Sequence, residues 1–204
     1  MDEKEYDENG KFEQDVALEN FFNGDNEIVK YARICYGRED STNKEGLIKT
    51  LITNGHTSVF EHSVFTFRIR CPIFVARQWM RHRMGSYTEK SLRYTKPGSF
   101  TKLELNNPEA EELIDVIFKT TMSTYETLLS MGIKKEQARA ILPIGIETEF
   151  YWTVNARSLM NFLKLRLDPH AQKEIRDYAE KVMNIFEEKM PITAKYFSKY
   201  VLRR

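Results

Sequence analysis

Residues 64–83 read Val-Phe-Thr-Phe-Arg-Ile-Arg-Cys-Pro-Ile-Phe-Val-Ala-Arg-Gln-Trp-Met-Arg-His-Arg. In the first half, apolar and more polar side chains alternate with the period of two that is typical of a half-buried β-strand. The apolar positions are Phe65, Phe67, Ile69 and Cys71. Pro72 ends this pattern and suits the first turn of a helix. The stretch therefore predicts a strand that leads directly into a helix over residues 73–83.

Strand and helix signals continue irregularly along the rest of the chain. An edge strand is predicted at 15–22, and a β-branched and aromatic stretch predicts another strand at 144–153. Asn107-Pro108 and Gly132 delimit a long helix whose apolar positions are Leu113, Ile114, Ile117, Phe118, Tyr125, Leu128 and Leu129. Other helices are predicted from a cap at Asp25 or Asn26 to Gly37, over 44–53, 134–141 and 156–166, over 169–189 after an Asp168 cap, and from Pro191.

This irregular interleaving favours an α+β fold over a doubly wound sheet. We predict a single domain over residues 1–204, with a mainly antiparallel sheet flanked by several helices. Residues 1–20 hold eight acidic side chains and two lysines. The opening of the chain is therefore predicted to be solvated, with disorder over residues 1–12.

Composition excludes several classes of protein. The net charge is +1, from 31 basic and 30 acidic residues, so no overall charge attracts the chain to nucleic acid or to a membrane surface. No signal-peptide pattern or membrane-length apolar run is present. The two cysteines, Cys35 and Cys71, have no metal-type spacing and favour a reducing compartment. We therefore expect a cytoplasmic protein that needs no membrane and no nucleic acid.

A cationic segment begins in the last turn of the predicted helix. Arg81, His82, Arg83 and Arg93 flank hydroxyl side chains that include Ser91. Arginine presents a planar fork of donors that suits phosphate or an anionic ring edge, so the segment is a candidate nucleotide-phosphate site. The 100° helical step places Gln78 and Arg81 on one face, where both would reach one ligand. The alternatives are a solvated basic turn and ordinary helix charge decoration.

A second polar block lies on the helix predicted at 156–166. Arg157 and Asn161 are four residues apart and share a face, whereas Arg166 lies about 140° around the axis from Asn161. The helix is therefore predicted to hold a cofactor on one side and a substrate on the other. An amphipathic helix with polar capping is the alternative.

Two histidines and a glutamate between residues 56 and 62 raise the question of a metal. His56 and His62 are six residues apart and no third ligand completes a fixed motif, so we predict no metal site. Capping or core histidines are the more ordinary interpretation.

Several of these blocks together resemble the flavin-dependent thymidylate synthases. The signature of that family is Arg-His-Arg, seven residues and then Ser, which Arg81-His82-Arg83 and Ser91 match at full spacing. Thr88 departs from the family, which usually has Asn before the Glu, and this puts any contact of that amide in doubt. Further similar stretches lie at 56–62, at Ala138-Arg139 with Leu142-Pro143, and at 153–166, so that the resemblance extends from His56 to His170.

The resemblance implies roles for individual residues. Those implied to contact flavin are His56, Ser58, Arg81, His82, Arg83, Glu89, Asn155, Arg157, Asn161 and His170. Those implied to bind substrate are Gln78, Arg81, Glu89, Lys90, Ser91, Leu92, Arg93, Arg139 and Arg166. Arg139 would reach the substrate phosphate from a neighbouring subunit. Arg166 would lie against the uracil ring as the catalytic residue and favour an enolate-like uracil whose C5 is nucleophilic.

The resemblance also implies a reaction. Deoxyuridine monophosphate (dUMP) would become thymidine monophosphate (dTMP), with 5,10-methylenetetrahydrofolate as carbon donor and NADPH-reduced FAD as hydride source. The enzyme would be a homotetramer whose sites are shared between subunits. Cys35 and Cys71 are predicted to be inert packing thiols, which agrees with a mechanism that needs no protein nucleophile.

Two other classes of function compete with this one. A metal-independent phosphohydrolase or nuclease would use His82 as a base and the arginines on phosphate. An RNA-contacting domain would stack bases on Tyr87 and Tyr94. The near-zero net charge weakens the RNA hypothesis, and the polar block at 155–166 fits neither rival.

Overall fold

A four-stranded antiparallel sheet forms the centre of an α+β fold, as predicted. The computed structural model describes residues 15–34, 43–101 and 105–204. The strands are β1 (Val16–Phe22), β2 (Val64–Pro72), β3 (Ser86–Glu89) and β4 (Glu147–Asn155), in the order β1-β2-β4-β3. Residues 1–14, which include the predicted disordered segment 1–12, and Cys35 lie outside the described residues.

Eight α-helices accompany the sheet in the described ranges. They are α1 (Asp25–Ile34), α2 (Lys44–Thr53), α3 (Ile73–Trp79), α4 (Pro108–Ser130), α5 (Lys135–Ala138), α6 (Ala156–Arg166), α7 (Lys173–Lys189) and α8 (Pro191–Phe197). Short 3₁₀ segments at Ser58–His62 and Arg139–Ile141 and a π turn at Ser198–Leu202 complete the secondary structure. None of the helices in these ranges has both the length and the apolarity that a bilayer span requires.

The chain divides into two compact units. Unit 1 comprises Met1–Ile69, Met80–Tyr87 and Tyr151–Arg204, and unit 2 comprises Arg70–Trp79 and Thr88–Phe150. Both units draw residues from β2, β3 and β4, so the division does not follow the ends of the strands. The single domain therefore stays a prediction.

The alternating pattern of β2 is confirmed on its apolar face. Phe65, Phe67 and Ile69 are fully buried, and β1 pairs antiparallel with this strand. The other face of the strand is less exposed to solvent than the sequence predicts, because the Arg68 side chain is buried as well. In unit 1, Phe65 packs against Phe186 of α7 with ring centroids 5.9 Å apart, which fixes that helix on the sheet.

Two helix starts in unit 1 differ from the sequence prediction. Asp25 is the first residue of α1, but its carboxylate caps α8 by accepting hydrogen bonds from Ile192 N at 2.7 Å and Thr193 N at 3.2 Å. The capping acceptor of α1 is instead Glu27, which accepts from Gly24 N at 2.9 Å. The predicted start of α7 near residue 169 is also wrong, because that helix begins at Lys173.

Unit 2 contains the long helix as predicted. Asn107 caps α4 by accepting from Ala110 N at 3.2 Å, Pro108 is its first residue, and Gly132 follows its end with φ +85°. Tyr125 is buried and Phe118 stacks on Phe100 at 4.6 Å. Leu113 and Ile117, predicted to face the core, are 63% and 56% exposed. The apolar positions of α4 therefore occupy two faces, and one of them is exposed.

Candidate functional site

A cavity of about 870 Å³ lies within unit 1. Its described lining includes four arginines and one carboxylate, so the cavity is strongly cationic although the whole chain is nearly neutral. The lining residues are Glu61, Arg81, His82, Arg83, Met84, Trp152, Val154, Asn155, Arg157, Ser158, Asn161, Leu165 and Arg166. Seven residues predicted from the sequence to bind cofactor or substrate therefore meet at one place.

Helix α6 supplies much of this lining. Asn155 caps the helix by accepting from Ser158 N at 2.9 Å, and Leu159, Phe162 and Leu163 are fully buried. Burial of that stripe leaves the opposite face, which carries Arg157 and Asn161, directed to the cavity.

That α6 holds a cofactor on one side and a substrate on the other stays a prediction. Asn161 and Arg166 lie about 140° apart around the helix axis, yet both side chains line the same cavity. Arg166 is the last residue of α6, and its long side chain bonds to His82, so it does not follow the helical face.

The Arg-His-Arg signature lies in a loop and not on a helix. Helix α3 ends at the fully buried Trp79, so the prediction of a helix to residue 83 is wrong, and the helical step does not place Arg81 beside Gln78. The Tyr87 hydroxyl donates to the backbone oxygen of His82 at 2.8 Å, which fixes the loop. Burial raises the pKa of Tyr87, so this hydroxyl remains a donor.

Gly85 lets this loop approach β4 closely. A Cβ at residue 85 would stand 2.7 Å from Nε1 of Trp152 and 3.0 Å from the backbone oxygen of Thr153. Tyr87 in turn stacks on Trp152 with centroids 6.3 Å apart and an interplanar angle of 15°. Trp152 was not predicted as a site residue, because the aromatic stretch at 144–153 indicated only a strand.

The His82 imidazole is paired with Arg166. Arg166 Nε donates to His82 Nε2 at 3.0 Å, and the His82 ring meets the Phe162 ring edge-on at 5.0 Å. Burial, reinforced by the positive charge of Arg166, lowers the pKa of His82 to about 4. Burial also lowers the pKa of Arg166. The pair therefore carries one charge at neutral pH, and the arginine holds it.

Arg157 forms an ion pair with Glu61 at the cavity lining. Their side chains are 53% and 46% exposed, so solvent screens the pair and its net contribution to stability is at most about 1 kcal/mol. Glu61 thus satisfies a guanidinium that is otherwise suited to an anionic ligand. From the sequence, Glu61 had been considered as a metal ligand and as part of the 56–62 stretch that resembles the family, but not as a partner of Arg157.

The segment at residues 89–93 lies in unit 2. Glu89 accepts from the Thr148 hydroxyl at 2.7 Å, and Lys90 N donates to the backbone oxygen of Glu149 at 2.8 Å. Ser91 Oγ accepts from Arg93 N at 3.3 Å. Leu92 is half-buried. Thr88, the residue that differs from the family's usual Asn, is exposed on β3, and this strand was not predicted from the sequence.

Arg93 and Arg139 converge on one residue of α5. Arg93 Nη2 lies 3.4 Å from the Glu136 carboxylate, and Arg139 Nε donates to the Glu136 backbone oxygen at 3.3 Å. Two arginines selected from separate sequence blocks therefore contact the same residue. Glu136 was not predicted as a site residue, because nothing in the local pattern distinguishes it from other exposed acids.

The other predicted contacts do not line the cavity. His56 and Ser58 are exposed at the turn before β2, and His170 is bonded through Nδ1 to Asp168 at 2.9 Å with its side chain 98% exposed. Among the described residues, no three His, Cys, Asp or Glu side chains are grouped as metal ligands. Cys71 is buried, as predicted for a packing thiol.

The fold is α+β and its cavity is rich in arginine, and comparison with known proteins identifies the family. The family model described as "Thymidylate synthase complementing protein" matches residues 17–192. A flavin-dependent thymidylate synthase from Thermosipho africanus is 43% identical over 92% of both chains. One from Thermus thermophilus is 38% identical over 92% of this chain and 76% of its own length. The chain belongs to the family of flavin-dependent thymidylate synthases.

A solved structure supports the same relationship. The UMP/dUMP methylase PolB from Streptomyces cacaoi, bound with 5-Br dUMP, is similar with a TM-score of 0.82 at 30% identity. The similarity covers 91% of this chain and 95% of that one.

Proposed function

We propose that this protein is a flavin-dependent thymidylate synthase that converts dUMP to dTMP in the cytoplasm. The carbon donor is 5,10-methylenetetrahydrofolate, and NADPH is the reductant. The observation that carries the proposal is the cationic cavity of unit 1, where the Arg-His-Arg loop and the polar face of α6 meet. A similar protein that binds 5-Br dUMP supports a pyrimidine nucleotide as substrate.

The residues of the cavity fit FAD. Its volume of about 870 Å³ lies near the upper end of the usual range for ligand pockets, about 300–1,000 Å³. Arg81, Arg83 and Arg157 supply the forked donors that a pyrophosphate requires. The amides of Asn155 and Asn161 add neutral donors and acceptors, and further lining residues provide apolar surface for a ring system: Trp152, Val154 and Leu165.

The chemistry that bound FAD supplies is transfer of a hydride from NADPH to complete the methyl group. The contribution of the protein itself is electrostatic. The Arg166 guanidinium stabilises negative charge that develops on the uracil ring and makes C5 nucleophilic. A partly buried guanidinium acts more strongly than an exposed one, because fewer waters screen its charge. In the described residues Cys71 is buried, so the proposed route uses no thiolate from it.

Arg93 and Arg139 form the proposed phosphate clamp. Both contact Glu136, Arg93 through the carboxylate and Arg139 through the backbone oxygen. Ser91 and Lys90 precede Arg93 and add a hydroxyl and an ammonium donor. We assign this clamp to the substrate phosphate of a neighbouring subunit.

A homotetramer with shared sites is the proposed assembly. The exposed side of α4 carries Leu113, Val116 and Ile117, and these side chains are 63%, 52% and 56% exposed. Thr120, Thr124 and Thr127 continue the same stripe, and each hydroxyl donates to a backbone oxygen four residues earlier. The stripe holds no charge over about four helical turns, which supports packing against another copy.

Flavin uptake and product formation test the proposal together. The protein should take up added FAD, measured as protein-bound visible absorption after gel filtration. It should form dTMP from dUMP when methylenetetrahydrofolate, NADPH and FAD are all present, and lose this activity when any one is omitted. A protein that takes up no FAD, or forms dTMP equally well without it, contradicts the proposal.

A further inference from the structure

Three separate contacts within unit 1 hold His82, two at its ring and one at its backbone oxygen. Its Nε2 accepts from Arg166 Nε at 3.0 Å, and its ring lies edge-on to Phe162 at 5.0 Å with an interplanar angle of 71°. Its backbone oxygen accepts from the Tyr87 hydroxyl at 2.8 Å. Backbone, ring plane and ring nitrogen are therefore all constrained.

The hydrogen bond to Arg166 defines the protonation state of the imidazole. A guanidinium is always charged and can only donate, so Nε2 must carry a lone pair. The ring proton of the neutral imidazole then lies on Nδ1. Burial and the charge of Arg166 favour the same state, since they lower the pKa of His82 to about 4.

A contact at Nε limits the conformational freedom of the Arg166 side chain. Arg166 is the last residue of α6, its neighbour Leu165 is exposed, and an arginine side chain carries about 2 kcal/mol of rotamer entropy. The bond to His82 uses Nε, so it constrains the plane of the guanidinium. A preorganised donor costs no reorganisation when charge develops in the transition state.

We propose that His82 is a positioning residue, whose Nε2 orients the guanidinium of Arg166 for catalysis before substrate binds. This inference rests on the proposed function of Arg166. It adds to the flavin contact that the family resemblance implies for His82, and it assigns the Nε2 edge of the ring to the arginine. Positioning of this type requires a hydrogen-bond acceptor at the place of His82 Nε2, and side chains that put an acceptor at or away from that place can test it.

Two amide variants separate the geometry from general disruption. In His82→Gln, the side-chain oxygen can reach the position of Nε2, whereas in His82→Asn it reaches only the position of Nδ1. We expect His82→Asn to lower kcat by about 10- to 100-fold, the effect of one lost hydrogen bond to a charged group. His82→Gln should recover most of this rate. Both are assayed at saturating FAD, with FAD affinity and far-ultraviolet circular dichroism measured separately.

A double-mutant cycle with Arg166→Ala shows whether His82 acts through the arginine. If it does, His82→Asn should change the residual rate of the Arg166→Ala enzyme by less than about threefold, because coupled residues are not additive. The KM for dUMP should change less than kcat in the single variant, because the affected group acts in the transition state.

Three results overturn the inference. One is an equal loss of rate from His82→Asn in both backgrounds, and another is identical behaviour of the Gln and Asn variants. The third is a loss of FAD affinity with kcat unchanged at saturating FAD. Failure of the proposed function has a different signature, since Arg166→Ala alone would then retain full turnover or the wild-type protein would form no dTMP.

Discussion

Nε of Arg166 lies 3.0 Å from Nε2 of His82. At the cavity lining, a charged guanidinium therefore donates a hydrogen bond to a neutral imidazole. Protonation of His82 would remove the acceptor and place two positive charges in contact. The relationship therefore links the protonation of one imidazole to the stability of the site.

Stability should depend on pH through His82. The unfolded imidazole takes up its proton near pH 6.5, whereas the folded one stays neutral down to about pH 4. Between these values the unfolded state binds more protons, so the free energy of unfolding falls as the pH falls through this window. Above about pH 6.5 the contribution of His82 to stability is fully present. The slope from one group is at most about 1.4 kcal/mol per pH unit.

Urea unfolding between pH 4 and 7 measures this contribution. His82→Gln should show a shallower dependence than the wild type in the window, and His56→Gln, which removes an exposed histidine, is the control. Parallel curves for His82→Gln and the wild type would mean that the imidazole titrates alike in the folded and unfolded states.

Arg166→Ala should retain flavin but lose most of the methylation activity. Removal of one preorganised electrostatic stabiliser typically lowers kcat by about 10²–10³. Lys164→Ala removes an exposed cation from the same helix outside the cavity lining and should stay near the wild-type rate. Single-turnover formation of dTMP with FAD bound is the measurement. Near-full turnover by Arg166→Ala would remove this residue from the mechanism.

Arg93→Ala should chiefly weaken substrate binding. Loss of a charge-assisted hydrogen bond, about 1.5–3 kcal/mol, corresponds to a 10- to 100-fold rise in the Kd for dUMP. Isothermal titration with dUMP measures the effect, and Lys96→Ala, which removes another exposed cation of unit 2, is the matched control. An unchanged affinity for dUMP would show that the phosphate binds elsewhere.

The two measurements also separate the two arginines. Arg166→Ala should affect kcat more than the Kd for dUMP, and Arg93→Ala should show the reverse. Equal effects on both quantities by both variants would indicate general disruption of the site.

Glu61→Gln should raise the affinity for FAD. The Glu61 carboxylate neutralises Arg157, so an anionic ligand that uses Arg157 must displace it. Because the pair is about half exposed, we expect a gain of only about two- to fivefold and a stability loss below about 1 kcal/mol. Glu45→Gln breaks a comparable exposed pair with Lys195, 3.2 Å apart and outside the cavity lining, and should leave FAD affinity unchanged.

Fluorescence titration of FAD at low and high salt tests the origin of this gain. The advantage of Glu61→Gln should shrink as salt screens the ion pair. An affinity equal to that of the wild type at low salt would mean that Arg157 does not contact an anionic part of FAD.

Local sequence patterns predicted most of the helices and strands, because the burial or capping of those segments is determined by residues within the segment itself. The period-two run of β2 and the Asn107-Pro108 start of α4 are such cases. Errors arose where a distant segment decides the outcome. Asp25 satisfies the start of α8, more than 160 residues away, so its position before α1 gave a misleading cap signal.

The candidate site shows the same limit. Sequence blocks identified the arginines individually, but not that Glu61 pairs with Arg157 or that Glu136 joins Arg93 to Arg139. Exposed carboxylates have no periodic signature, since their partners come from other parts of the chain. The hydrogen bond between His82 and Arg166 was not predicted either, because the two residues are far apart in the sequence and no local pattern indicates that they meet.

Subunit complementation provides a direct test of shared sites. Arg166→Ala homo-oligomers should be nearly inactive, for loss of the uracil-side charge. Arg139→Ala homo-oligomers should be nearly inactive at dUMP concentrations well below their raised Kd, for loss of the phosphate clamp. If one site takes Arg139 and Arg166 from different subunits, random mixing of the two variants during refolding restores about a quarter of the sites. The measurement is dTMP formation after mixed refolding, with separately refolded proteins combined afterwards as the control. Activity that stays at the level of that control would place both arginines of each site in one subunit. Leu113→Asp, which puts a charge on the exposed stripe of α4, should lower the oligomer mass seen by light scattering and abolish the complementation.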